Sequence, residues 1–410
     1  MVRKGLLLLA AFSLVGCLWA SEAPPEDLLA AYRYDSAAVR FENASLPPEA
    51  GIRVSRLTFT SQVPSDCPAN QVVNCRVYWP DAKGRVPAVV VLHEWKVERA
   101  ERAMYLCRRL ARAGMLAVLV PLPYHLDRTP PGAESGKLMV SANPNRTVDA
   151  VVQAVVDVRC VVDWLASLEE VDGQRIGLAG ISLGAMVGLL ATQVEPRFRA
   201  AVSILGTACP MALFKDSPLV RLLLWRRLRQ AGLSEEELRE KFRGVDATEF
   251  AGDNAGLKLL MINARHDIVV PRSAVMLTWE RLGKPDLLWL NSGHWSAGIY
   301  SRRLAEAVVG YLKTAFGLAP GPYKPPPMPS SAVDVGLLVG SRSGLVGAII
   351  FEALSLESSG RASVDIGMTT RGPFLGVSVR PFEYGKIGYG LRPFSNHSHG
   401  EVFWMLQVTF

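Results

Sequence analysis

Three residues of this 410-residue chain have the types and the order needed for covalent acyl transfer: Ser182, Asp267 and His294. Gly180-Ile181-Ser182-Leu183-Gly184 sets a serine between two glycines, where the strand-like run "RIGLAG" gives way to a helix-like run from Leu183. On such a strand–turn–helix junction a sharp bend lifts the hydroxyl above the sheet. Glycines flank it because the two backbones approach too closely for side chains. A serine hydroxyl needs a base, and the base needs a carboxylate to orient it. "LLMINARHDIVVP" places Asp267 just past one apolar run, and "LLWLNSGHWSAG" places His294 just past the next. Taken singly, Ser182 reads as a turn filler, Asp267 as a helix cap and His294 as a bonded loop residue. Taken together, in the order Ser, Asp, His, they read as a catalytic triad.

The elements that must carry these residues alternate. "IRVSRLTFT" (52–60) and "VVNCRVYW" (72–79) read as strands, and "VPAVVVLHE" (86–94) as a buried central strand ending in polar residues. A helical run 98–114, the buried strand "MLAVLVPLPYH" and a long helix 147–168 lead to "RIGLAG". After Ser182 come a helix 183–193, strands 200–206, 257–264 and 286–291, and a closing helix 300–316. Strands alternating with helices predict an α/β fold: a mostly parallel sheet with helices on both faces. Residues 207–256 are longer than a connection needs and hold "SPLVRLLLWRRLRQAGL" and a capping box, Ser234 with Glu237. They read as a helical cap over the site; the basic stretch 220–233 with Trp225 has a membrane-surface alternative.

Residues 1–20 read as a signal peptide, Arg3 and Lys4 preceding a short apolar run, which places the protein as exported, in a periplasmic, envelope-associated or extracellular setting. "LVGC" ending at Cys17 resembles a lipobox, and ordinary cleavage after Ala20 competes with it. In an oxidising compartment Cys67 and Cys75, bracketing "PANQVVN", are placed to close a local disulfide, whereas Cys107, Cys160 and Cys209 read as buried thiols. No cysteine or histidine spacing resembles a zinc site, so neither a metal nor an organic cofactor is expected. An apolar content of 49% with 20% charged residues argues against general disorder, and the net charge of +7 is spread along the chain without a nucleic-acid module.

At 317 the character changes. "GLAPGPYKPPPMPSS" (317–331) is an extended proline-rich linker, and residues 332–410 alternate apolar residues in roughly six short runs, an all-β C-terminal domain. The last run, Val402-Trp404-Leu406-Val408-Phe410, resembles the terminal strand of outer-membrane barrels. Six strands are fewer than the eight of the smallest single-chain barrels, which favours a small soluble sandwich or a sheet completed by oligomerisation. Membrane attachment therefore has two open routes, Cys17 and this tail.

Four motifs in order, "VVVLHEW", "GISLGA", "ARHDIVVP" and "NSGHWS", make residues 50–316 similar to α/β-hydrolase-fold enzymes of the dienelactone hydrolase-like and prolyl oligopeptidase-like branch. That resemblance implies Ser182 as nucleophile, His294 as general base and acid, and Asp267 as its orienting partner. It implies an oxyanion hole built from the backbone amides of Leu183 and of Trp95, and a small-molecule ester as substrate; a peptidase activity and a non-catalytic binding role are the alternatives. "HEWKVERA" lacks the glycine that many relatives carry after this histidine, so a bulky Trp95 is expected to narrow the acyl pocket. His93 reads as a backbone brace. His125 is expected to line the pocket or sit in a solvated loop, His266 to point away from the site, and His397 and His399 to lie in a surface turn.

Overall fold

A computed structural model describes residues 26–410, apart from 142, 223–231, 251–255, 329–332, 343, 356–361, 383–384, 392–399 and 410. The signal peptide with Cys17, Trp225, and His397 with His399 lie outside the described residues.

Nine strands form one sheet: β1 (Glu42–Glu49), β2 (Ile52–Thr60), β3 (Val72–Trp79), β4 (Val86–Leu92), β5 (Leu116–Val120), β6 (Val171–Ile181), β7 (Phe198–Ile204), β8 (Lys258–Ala264) and β9 (Asp286–Leu290). Their order is β1-β2-β3-β5-β4-β6-β7-β8-β9. The first three pair antiparallel, and everything from β5 to β9 pairs parallel. Every residue of β4 and β5 is buried, the outcome of covering both faces of a parallel sheet with helices. The helices that matter here are α1 (Glu101–Arg112), α2 (Pro144–Ser167), α3 (Leu183–Val194), α4 (Pro210–Asp216), α5 (Glu235–Arg243), α6 (Arg272–Arg281) and α7 (Ser301–Ala315). Two hydrophobic cores form, one on each face; α2 and α3 belong to the first, α1 and α7 to the second.

Strand β1 was not legible in the sequence. "ENASLPPE" is an exposed edge strand with two prolines, so it carries no apolar alternation, and its pairing comes from β2 alone. The expected disulfide is absent: Cys67 and Cys75 are both free. Cys67 caps the short helix Pro68–Gln71, whereas Cys75 sits on β3 with its side chain in the core. Burial pushes its thiol well above the ordinary range. In the cap, α5 forms with the expected capping box in place: Ser234 Oγ accepts from Glu237 N (3.2 Å) and Glu237 Oε2 from Ser234 N (2.8 Å); α4 lies ahead of the stretch 217–233 that the sequence singled out.

The tail is a separate antiparallel domain of six strands: β10 (Val333–Gly340), β11 (Gly344–Ser355), β12 (Ala362–Thr369), β13 (Gly372–Phe382), β14 (Gly385–Leu391) and β15 (Glu401–Thr409). These do not make the expected sandwich. Each pairs with the next, and β15 pairs back on β10 from Asp334↔Thr409 to Gly340↔Phe403, closing a barrel. Closure removes both sheet edges, which a six-stranded sandwich would have left open. Its narrow interior is filled by side chains, with Phe374 and Phe403 edge to face at 5.0 Å in one part.

Candidate active site

The carboxyl ends of the parallel strands converge on one cavity, and the backbone at β6 explains how. Ser182 follows β6 directly with φ 51°, a left-handed conformation that costs a serine energy and is held here by its surroundings. Its amide donates to Ile204 O at 2.7 Å, fixing the turn to the end of β7. A Cβ on Gly180 would lie 2.3 Å from Gly184 O, and one on Gly184 would lie 2.6 Å from His93 O. Those two positions therefore exclude any side chain. The first intrahelical bonds of α3 run from Ala185 and Met186 to Ser182 O, so the Leu183 amide has no partner inside the helix and sits at its positive end.

The two other strand ends deliver the partners. Arg265 N donates to Leu290 O and His266 N to Ser292 O, so the ladder between β8 and β9 continues into their loops. This brings Asp267 alongside His294. His294 Nδ1 donates to Asp267 Oδ2 at 2.7 Å, and Ser182 Oγ donates to His294 Nε2 at 2.9 Å. Asp267 Oδ1 accepts from both Val269 N and Val270 N, each at 2.8 Å. One Asp267 oxygen thus caps the turn while the other holds the imidazole. Fixing the proton on Nδ1 leaves Nε2 as an acceptor for the hydroxyl, the protonation pattern a general base requires.

Ser182, His294, Leu183 and Trp95 all line a cavity of about 1120 Å³, so four of the five expected site residues border one space and Asp267 stands behind His294. The cap supplies part of its wall through Leu213, Phe214, Leu219 and Phe242. Trp95 does not plug it. Its indole Nε1 donates to Gly136 O at 2.8 Å, which ties the ring to a neighbouring loop, and it stays 37% exposed at the rim. The cavity exceeds the usual size of a small-ligand site and is lined mainly by apolar side chains.

His93 is buried and braces the backbone as expected: Nε2 accepts from Leu122 N (3.0 Å) and Nδ1 donates to Glu94 O (2.8 Å). Burial holds its pKa down at about 4. His125 corrects the sequence reading, since it neither lines the cavity nor meets solvent. Its Nε2 accepts from Lys96 N (3.2 Å), its Nδ1 donates to Pro123 O (2.9 Å), and burial lowers its pKa to about 3. Both rings are neutral props for the glycine-poor loop 93–97, in which Lys96 adopts φ 56°. A buried histidine that bonds the Lys96 amide holds the bend of this loop, which carries no glycine. Behind His125, Arg128 and Asp157 form a fully buried pair (2.8 Å) with Ser61, Asn70 and Gln153 around it. Only the distance between these positions in the chain hid that network. His266 points away from the triad, bonding Asn291 Oδ1 at 2.9 Å.

A doubly covered parallel sheet with a strained serine between strand and helix is the layout of an α/β-hydrolase. The chain has this fold, in the branch that holds the dienelactone hydrolase and prolyl oligopeptidase families: residues 73–219 match the dienelactone hydrolase family and residues 149–319 the prolyl oligopeptidase family. Among solved structures it is similar to acetyl xylan esterase 1 of Thermoanaerobacterium sp. (17% identity, TM-score 0.51, covering 70% of this chain and 95% of that one). It is also similar to an acetyl xylan esterase of Paenibacillus sp. R4 (20% identity, TM-score 0.52, covering 69% and 91%). An uncharacterized protein of Mycobacterium tuberculosis is 26% identical over 250 residues, 58% of this chain; the chain spans 56% of the length of that relative.

Proposed function

We propose that this protein is an exported serine carboxylesterase working through an acyl-enzyme, with Ser182 as nucleophile, His294 as general base and acid, and Asp267 as the orienting carboxylate. The observation that carries the reading is the continuous relay Ser182–His294–Asp267, at 2.9 and 2.7 Å, on the wall of a mostly apolar cavity. Ser182 Oγ attacks the ester carbonyl as its proton passes to His294 Nε2. The carbonyl oxygen takes the negative charge, and the Leu183 amide at the helix N-terminus and the Trp95 amide donate to it. Collapse expels the alcohol, protonated by His294, and leaves the acyl group on Ser182. Water, deprotonated by His294, then releases the acid and restores the serine.

A cavity of about 1120 Å³ walled by the cap fits an apolar acyl or alcohol group larger than acetyl. A peptidase is the second reading, favoured by the match of residues 149–319 to the prolyl oligopeptidase family. A fluorophosphonate probe tests the nucleophile: it labels the wild type and fails to label Ser182→Ala. A series of p-nitrophenyl esters of rising acyl length, run beside an aminoacyl p-nitroanilide, then separates the readings. Ester turnover rising beyond acetyl supports the carboxylesterase. Efficient anilide cleavage with slow ester turnover supports the peptidase, and folded wild type that no such probe labels sinks both.

A further inference from the structure

The barrel β10–β15 has its polarity reversed. Its strands carry one charged residue each: Asp334, Glu352, Asp365, Arg380, Lys386 and Glu401, and all six are buried inside. Five of them are paired there: Lys386 Nζ lies 2.6 Å from Asp334 Oδ2, 2.9 Å from Glu352 Oε1 and 2.9 Å from Asp365 Oδ1, and Arg380 bridges Asp334 and Glu352, while Glu401 Oε2 accepts from Arg342 N at 3.0 Å. The outward face is the opposite. Of the 22 large apolar side chains exposed among the described residues, 17 lie on these six strands. On β10 they are Val335, Leu337 and Val339, on β15 Val402, Trp404 and Leu406, and every other strand contributes at least two. Among the described strand residues no charged side chain faces out.

Water as the surrounding medium does not produce this arrangement. A barrel in water turns its apolar residues inward and its charges outward, because burying unneeded charge is costly and exposing apolar area is unfavourable. A protein partner does not produce it either, since a partner covers one side and this belt runs round all six strands. An apolar medium on every side does. In such a medium the backbone must also be satisfied within the domain, which closure of β15 on β10 achieves. The strands run from 7 to 12 residues. A nine-residue strand tilted by about 40° rises about 23 Å, close to the ~25 Å apolar band of membrane barrels.

We propose that β10–β15 is embedded in a lipid bilayer, with its outward belt against acyl chains, and that it anchors the hydrolase domain at the membrane surface. The charged end of the interior faces the hydrolase rather than lipid: Asn291 Nδ2, in the loop that precedes His294, donates to Glu352 Oε2 at 2.7 Å. Six strands form a plugged post here, not a channel, since the interior is filled by the ion pairs at one end and by Phe374, Phe403 and their neighbours beyond.

The test uses the full chain, purified in detergent and reconstituted into dioleoylphosphatidylcholine vesicles. The protein floats with the vesicles and resists alkaline carbonate extraction. Replacing the lipid by its dibromo-acyl analogue quenches part of the tryptophan emission, and Trp404→Phe abolishes most of that quenching while leaving flotation intact. Leu337→Arg, a charge in the belt, lowers the floating fraction roughly tenfold or more, with thermal unfolding of the hydrolase domain unchanged. Three results each overturn the proposal. One is a detergent-free monomer that does not associate with vesicles; another is quenching unaffected by Trp404→Phe. The third is a soluble dimer or trimer in which Trp404 is shielded from aqueous iodide, because a second copy then covers the belt.

Discussion

Asp267→Asn separates the two jobs that one carboxylate performs. Oδ1 accepts from the Val269 and Val270 amides at 2.8 Å each, and Oδ2 accepts from His294 Nδ1 at 2.7 Å. Asparagine in the same rotamer keeps an oxygen for the two amides but presents an NH₂ to His294. Two donors cannot share that bond, so the imidazole moves its proton to Nε2, which then points an N–H at Ser182 Oγ, 2.9 Å away. The serine has nowhere to send its proton. The wrong tautomer costs on the order of 10⁴ in kcat, about 5.5 kcal/mol of barrier, with KM little changed. Folding stability falls by only about 1 kcal/mol, because the turn keeps its two hydrogen bonds. Asp267→Ala loses the same activity and also strands those amides, for a further ~2–3 kcal/mol. The assay pairs p-nitrophenyl butyrate hydrolysis with urea unfolding of each variant. A kcat for Asp267→Asn within about tenfold of wild type refutes the tautomer argument, and equal stabilities for the two variants refute the capping role.

Further expectations rest on other contacts. Gly184→Ala drives a Cβ to 2.6 Å from the backbone of Leu92 and His93; neither can yield, so probe labelling at Ser182 and stability both drop, the latter by roughly 1–3 kcal/mol in thermal unfolding. Arg128→Met leaves Asp157 buried without its cation, at a cost of about 3–5 kcal/mol in urea unfolding, and Arg128→Met with Asp157→Leu recovers much of that loss. His93 and His125 have folded pKa values of about 4 and about 3, below the value of about 6.5 in an unfolded chain. Above pH ~6.5 both states are neutral there and stability is full. As pH falls toward 4 the unfolded chain takes up protons that the folded chain refuses, and stability declines by a few kcal/mol. His125→Gln flattens that decline, measured as the slope of unfolding free energy between pH 7 and 4; an unaltered slope shows that His125 is not neutral and buried.

Much of the site was legible before any coordinates, for a local reason. The elbow "GISLG" is defined by neighbours in the chain, and Asp267 and His294 each follow an apolar strand, so their places at strand ends came from periodicity. Strands β2 and β3 were readable to the residue, because apolar alternation or continuity marks them. Strand β1 was not, since an exposed edge with two prolines pairs without such a mark. The brace at His125 was missed because its partner is the Lys96 amide, 29 residues away, and nothing near "PYHLDR" signals it. Spacing alone suggested that Cys67 and Cys75 could meet; a helix cap at one and a core-facing strand position at the other keep them apart.

By itself the sequence determined the fold class, the order Ser182–Asp267–His294 and the run of short alternating strands after the proline-rich linker. Each of these is written in residues a few positions apart, at the periods of helix and strand. Only the tertiary structure decided that one Asp267 oxygen caps a turn while the other holds His294, and that a buried His125 holds the bend of the glycine-free loop 93–97. It alone closed β15 onto β10, and closure is what assigns inside and outside to an alternating strand. The pattern of apolar and charged residues is the same along the chain whichever face turns inward. Pairing across some seventy residues put the charges in the middle and the valines, leucines and Trp404 on the rim.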